Sequence, residues 1–197
     1  MTKTELQSLM NWIKKLPLTH LVLKVKWCIF HSDYCVNLWV SNQCWCDTHI
    51  SPPLKAGKDN KHIIDKYGEQ IAFYKDVPAI LEQIYDHPDM IAVTASRTHA
   101  PKLAQKMLSL IHINGKPSAN YLIHRTWGVG SKIAHFQEIK QLTGVDFEDM
   151  VFFDDEMRNR DVQDRLGVTF VLVNEGVTRQ AFDRGIESWR KRSRQEQ

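Results

Sequence analysis

The chain contains no apolar run approaching the roughly 18 residues that a bilayer-spanning helix needs, which excludes a transmembrane helix. Its first residues, Met-Thr-Lys-Thr-Glu-Leu-Gln, lack the basic-then-apolar layout of a secretory leader, so a cytoplasmic protein without membrane attachment is expected. Internal repeats and low-complexity linkers are absent. Cysteine is scarce: four residues, Cys28, Cys35, Cys44 and Cys46, all in one stretch. Together with His49 they could suggest zinc, but the spacing lacks the paired C-x2-C knuckles that bring two sulfurs to one tetrahedral ion. In a reducing compartment free thiols are the expected state. Excess charge is also small, at +3 from 26 basic and 23 acidic residues. Aromatic and basic residues do not interleave as they do on a nucleic-acid surface, which speaks against that class of partner. The one basic run, Arg190, Lys191, Arg192 and Arg194 within residues 190–197, reads as a solvated tail and leaves a nuclear address open.

What is present is a sequence of 197 residues, 43% apolar and 25% charged, which suits a single soluble domain able to bury its own core. The core is expected over about residues 20–192. Leu6, Leu9, Met10 and Ile13 have helical spacing, with Thr4 as a cap and Pro17 as a stop. Residues 21–30 are rich in β-formers. Residues 47–75, with Pro52, Pro53 and Gly57, read as a small lid-like insertion, a hairpin leaving the sheet. Beyond it the order becomes regular. A helix is expected over Val77–Tyr85, capped by Asp76, with Pro78 in its first turn. A strand over Met90–Ala95, a helix over Pro101–Ile111 and a short strand over Tyr121–Ile123 follow. A helix over Lys132–Leu142 closes at Gly144. A strand over Val151–Phe153, a helix to about Leu166, a strand over Val168–Val173 and a helix over Thr178–Arg192 complete the chain. Alternating strands and helices imply an α/β fold, a doubly wound parallel sheet with helices on both faces.

The densest chemistry lies in Met-Val-Phe-Phe-Asp-Asp-Glu-Met-Arg-Asn-Arg-Asp, residues 150–161. An apolar run ends in adjacent carboxylates, Asp154 and Asp155, and ligands of open α/β sheets sit at the carboxyl ends of strands. Two acids there either cap the following helix or hold a hard divalent cation such as Mg²⁺ through oxygen ligands. Asn159 and Asp161 follow at about one helical turn and could position a metal ligand or its water. At another strand end stand Ser96, Arg97 and Thr98, where a hydroxyl and a guanidinium can hold an oxyanion or Ser96 can cap the next helix. Lys132 opens a helix, where the macrodipole disfavours a cation unless a function requires one.

A strand-end Ser-Arg-Thr, a later helix-start Lys and a strand-end Asp-Asp, in that order, form the layout of the haloacid dehalogenase (HAD) superfamily. The segments Trp-Cys-Asp-Thr-His-Ile-Ser-Pro-Pro at 45–53, Ala-Ser-Arg-Thr at 95–98, Gly-Ser-Lys-Ile-Ala-His-Phe at 130–136 and Phe-Phe-Asp-Asp-Glu-Met-Arg-Asn at 152–159 resemble the eukaryotic magnesium-dependent phosphatase family. The resemblance spans about residues 44–192. It implies a HAD-like Rossmannoid fold without a large cap domain, and Mg²⁺-dependent hydrolysis of phosphate monoesters through an aspartyl-phosphate. Ser96 and Arg97 would hold the phosphoryl group, Lys132 would neutralise nucleophile and phosphate, and Asp154 and Asp155 would hold the metal. Substrates would be small phosphorylated molecules such as phosphosugars, or a phosphoprotein bearing phosphotyrosine.

The nucleophile motif departs from the pattern. The family has Phe-Asp-Leu-Asp-Tyr-Thr-Leu-Trp at the end of its first strand; here residues 30–39 read Phe-His-Ser-Asp-Tyr-Cys-Val-Asn-Leu-Trp. Aligning on Phe30 and Tyr34 puts His31 at the nucleophile and Asp33 at the acid/base, with Asp33 also a metal ligand. No register restores both acids. Three explanations stand side by side: a misread gene over residues 20–43, an inactive homologue that binds phosphate, metal or a protein partner, or an unusual nucleophile at His31 or Asp33.

Overall fold

The computed structural model describes residues 21–25, 39–40, 50–98, 100–174 and 176–195. The helix expected over 2–16, the four cysteines, His31 and Asp33 lie outside these residues. In chain order the elements begin with β1 (Leu21–Val25), β2 (Trp39–Val40), β3 (Lys55–Ala56), β4 (His62–Ile64), β5 (Gln70–Phe73), α1 (Val77–Tyr85), β6 (Met90–Ser96) and α2 (Pro101–Leu110). A hairpin of β7 (His112–Ile113) and β8 (Lys116–Pro117) follows, then β9 (His124–Trp127), α3 (Lys132–Thr143), β10 (Met150–Asp154), α4 (Asp161–Leu166), β11 (Thr169–Leu172) and α5 (Arg179–Gln195).

The main sheet has the order β11-β10-β1-β6-β9, and each neighbouring pair is parallel. From β1 the chain winds through β6 to β9, then crosses to the far side of β1 for β10 and β11. The winding direction reverses at β1, so a crevice forms at the carboxyl ends of the central strands. Strand alternation sorts the core into two layers. Val151 and Phe153 of β10 pack in the cluster that holds Ile80 and Leu81 of α1, Met107 and Leu108 of α2, and Phe182 of α5. Met150 and Phe152 point the other way, toward Phe136 and Ile139 of α3 and Val162 of α4. This is the doubly wound α/β fold that the alternation of elements implied.

α5 lies close to the sheet because Gly185 has no side chain. A Cβ there would fall 2.7 Å from the Phe153 ring, which stacks on Phe182 with centroids 6.2 Å apart. Gly144 ends α3 as expected, in the left-handed conformation with φ 71°.

The described part of the expected insertion, residues 50–75, builds more than a hairpin. β3, β4 and β5 form an antiparallel meander, β2 pairs with β5, and the result is a four-stranded sheet ordered β2-β5-β4-β3. It is small, and Ile63, Ile71 and Phe73 seat it on the α1–α2–α5 core layer. Asp65 organises its turn, accepting from the N–H groups of Tyr67 at 2.8 Å, Glu69 at 2.9 Å and Ser51 at 3.1 Å.

Two local expectations need correction. Tyr121 closes a 3₁₀ turn, Ser118–Tyr121, and the strand comes later, at His124–Trp127. The buried Tyr121 and Leu122 mimic a strand in sequence, but they pack in the core from the turn. Asp76 does not cap α1 through its side chain. Its carboxylate instead accepts from the Arg179 N–H at 2.8 Å and so caps the start of α5. Among the described residues no helix is long and apolar enough to cross a membrane.

Asp65 gives this packing a pH dependence. Burial alone would raise its carboxyl pKa, but the N–H groups of Ser51, Glu69 and Tyr67 outweigh it and hold the group below 3.8. A depressed folded-state pKa contributes stability above the unfolded value of about 3.9, and that stability is lost as pH falls through the folded value. Asp65→Ala should cost about 1.5–3 kcal/mol at pH 7, and urea titrations should show the gap to wild type closing below about pH 4.

Candidate active site

Parallel pairing brings the chemically equipped strand ends to one edge of the sheet. β6 ends at Ser96, which pairs with Trp127 of β9. β10 ends at Asp154, paired with Leu172 of β11. Between β6 and β10 runs β1, whose Val25 stands opposite Phe153, one residue short of Asp154. Ser96 is 1% exposed and Asp154 not at all. Both are the last residues of apolar strands, so the pairing that buries the strands also buries them.

A fully buried carboxylate needs donors. Asp154 Oδ1 accepts from the Glu156 N–H at 2.7 Å. The side-chain amide of Asn159 donates to Asp154 Oδ1 at 3.1 Å and Oδ2 at 3.0 Å. That amide also donates to Glu156 Oε2 at 2.8 Å. Its oxygen accepts from the Arg97 guanidinium at 2.7 Å. Arg97 stands 3.7 Å from Glu156 Oε2, and Arg158 holds Glu156 Oε1 at 2.6 Å. The Met157–Arg160 3₁₀ turn carries Asn159 back over the strand end, with the Asn159 N–H donating to the Glu156 carbonyl at 2.9 Å. Asn159 thus grips both oxygens of Asp154. Asp161, expected beside it, instead opens α4.

Lys132 reaches the same edge from the start of α3. Ser131 caps α3 by accepting from the Ala134 N–H at 3.1 Å, which fixes Lys132 as the first helical residue. Its side chain is fully buried. The ammonium donates to the Ala95 carbonyl at 2.6 Å, next to Ser96, and lies 5.8 Å from the centroid of the Phe152 ring. Burying a cation at a helix start is costly, and the Ala95 carbonyl and the Phe152 face offset part of that cost.

Of the residues singled out by sequence, Ser96, Arg97, Lys132, Asp154 and Asp155 all belong to this edge, with Asp155 half-buried. Thr98 is occupied locally, its hydroxyl accepting from the Ala100 N–H at 3.0 Å. That contact, rather than Ser96, shapes the entry to α2. Glu156 was missed. It sits within the quoted acidic motif, and only the approach of Arg97 from another strand reveals its part. Among the described residues no group of three or more metal-ligating side chains surrounds one point. Asp154 and Asp155 still offer hard carboxylate oxygens, and magnesium is held through one or two such groups with retained waters. The donor chemistry of these two residues fits magnesium.

The family model described as Acid Phosphatase matches residues 25–192. A HAD-like hydrolase superfamily protein of Schizosaccharomyces pombe is 43% identical over 148 residues, covering 73% of this chain and 82% of that protein. Magnesium-dependent phosphatase 1 of Homo sapiens is 34% identical over 166 residues, covering 84% of this chain and 88% of that protein.

The Asn159 amide should be measurable as a structural support. Asn159→Ala strips a buried carboxylate of a donor shared by both its oxygens and should destabilise the fold by about 1–3 kcal/mol. Calorimetry should show a melting temperature lower by about 2–4 °C for each kcal/mol lost.

Proposed function

The chain belongs to the acid phosphatase family of HAD-like hydrolases, and we propose that within it the protein hydrolyses phosphate monoesters with magnesium as its resident cation. The observation that carries this reading is the gathering of a buried carboxylate, a buried ammonium and a strand-end hydroxyl at one sheet edge, from Asp154, Lys132 and Ser96. Phosphoryl transfer asks a protein chiefly for positioning and for neutralisation of charge. Ser96 would donate its hydroxyl to a phosphoryl oxygen, and the Lys132 ammonium would offset the charge on phosphate and nucleophile. Asp154 and Asp155 would hold the magnesium. When bound, that ion supplies Lewis-acid neutralisation of the phosphoryl oxygens. The magnesium dependence in the human relative's name supports the same assignment. The substrate would be a small phosphorylated molecule or a phosphoprotein.

The attacking group would come from the chain after Val25. On the alignment through Phe30 and Tyr34, His31 and Asp33 fall where the family has its aspartates, and either could take the phosphoryl group and pass it to water. A second reading is favoured by one observation: β1 carries no acid, and residues 26–46 contain a single carboxylate, Asp33. Two acids are needed for nucleophile and general acid/base, so a protein that binds phosphate and magnesium without turnover also accounts for the site.

The separating measurement is p-nitrophenyl phosphate hydrolysis by the full chain with Mg²⁺ and with EDTA. Chelator-sensitive turnover that falls by at least about 100-fold in the Asp154→Asn, Asp155→Asn variant supports the phosphatase reading. Hydrolysis that survives both changes sinks the metal assignment. No turnover, with inorganic phosphate and Mg²⁺ together raising the melting temperature, supports the binding reading.

A further inference from the structure

We propose that Arg97 is a positioning residue, which fixes the Asn159 amide against the Asp154 carboxylate and thereby prepares Asp154 to hold a divalent cation. This rests on reading Asp154 as a magnesium ligand. It reassigns Arg97, whose place beside Ser96 suggests a phosphate contact.

The argument is one of donor and acceptor inventory. An asparagine amide has one donating end and one accepting end, and it can turn over without changing shape. Here the nitrogen faces only acceptors: both Asp154 oxygens, at 3.1 and 3.0 Å, and Glu156 Oε2 at 2.8 Å. The oxygen faces Arg97, a group with donors and no acceptor, at 2.7 Å. Turning the amide over would set an oxygen against two carboxylates and an NH₂ against a guanidinium. Asn159 is fully buried, so no water could relieve either clash. Arg97 therefore selects the amide orientation that serves Asp154. Lysine could supply the charge but not the fork, because the guanidinium meets Asn159 through one nitrogen and Glu156 through another. Glu156 completes the clamp. Arg158 draws one of its oxygens outward at 2.6 Å, leaving Oε2 toward Arg97 and Asn159. The side chain of Arg97 is 27% exposed and that of Glu156 15%, so this pair is less screened than a surface ion pair. The clamp links the end of β6 to the turn after β10 across the strand between them.

Groups that orient a metal ligand are worth about 10–100-fold in metal affinity. The test titrates Mg²⁺ against the melting temperature of the full chain, for wild type, Arg97→Met and Arg97→Lys. Inorganic phosphate is then titrated at saturating Mg²⁺. Arg97→Met should weaken the Mg²⁺ midpoint by about 10–100-fold, Arg97→Lys should recover only part of that loss, and the phosphate midpoint should stay within about twofold. A phosphate midpoint that weakens while Mg²⁺ is unmoved makes Arg97 an anion ligand and overturns the proposal. The metal-free measurement stands apart from the magnesium reading: in EDTA, the melting-temperature losses of Arg97→Met and Asn159→Leu should be strongly non-additive in the double variant. Additive losses overturn the proposal. A wild type that does not respond to Mg²⁺ defeats the magnesium reading itself and likewise the purpose proposed for the clamp, even where the coupling in EDTA persists.

Discussion

Asp154 ends β10 with no exposed surface, and the arrangement of the site follows from keeping a carboxylate there. Removing an ion from water costs several kcal/mol even after relaxation, unless donors and opposite charge surround it. The chain meets that demand from three directions. The backbone turn after β10 brings the Glu156 N–H, the following 3₁₀ turn returns Asn159, and Arg97 reaches across from β6 to hold the amide in place.

The base beneath the crevice is aromatic. Phe152 meets Phe136 edge-on with centroids 5.0 Å apart and Phe170 at 5.8 Å, and the Lys132 ammonium rests above it. This layer excludes water from below and lowers the local dielectric, which strengthens every charge interaction at the strand ends. Strand alternation makes this possible: the parity that places Phe152 toward α3 also places Asp154 on that side, where α3 begins with Lys132. The opposite parity, Val151 and Phe153, belongs to the layer that Gly185 lets α5 approach. Core packing and site geometry are thus two consequences of one register, and a slip of one residue would ruin both.

Much of this was legible in sequence, for a physical reason. β6 and β10 are buried on both faces, so they read as continuous apolar runs that end where chemistry begins. The Ser131 cap and Gly144 bracket α3 and so fix Lys132 at its start. What escaped reading depends on partners distant in sequence. β9, His-Arg-Thr-Trp, is an edge strand and needs no apolar run, so the buried Tyr121 and Leu122 drew the strand assignment to themselves. Asp76 has the composition of a cap, but the helix it caps begins 103 positions later. The strands of the small sheet are two to four residues long, below the length at which periodicity shows. The turn of Arg97 toward Asn159, which brings Glu156 into the site, joins positions 62 apart; spacing within a motif carries no trace of such a meeting.

The centre of the site raises a different question, because β1 is the strand on which the winding reverses and it ends at Val25 without an acid. Buried charges seldom add stability: replacing a buried ionic cluster with packed apolar residues is often neutral or stabilising. A chain that had long since lost both turnover and ligand binding would gain nothing from Lys132 and Asp154, both fully buried, or from the clamp on Asn159. These groups are nonetheless all present and mutually consistent, while the irregularity is confined to one stretch: cysteine, tryptophan and asparagine without a period between β1 and the Trp-Cys-Asp-Thr-His segment. Local disagreement beside global consistency marks a local cause. That argues for a misread segment, or a recent change within it, over gradual decay of the whole site.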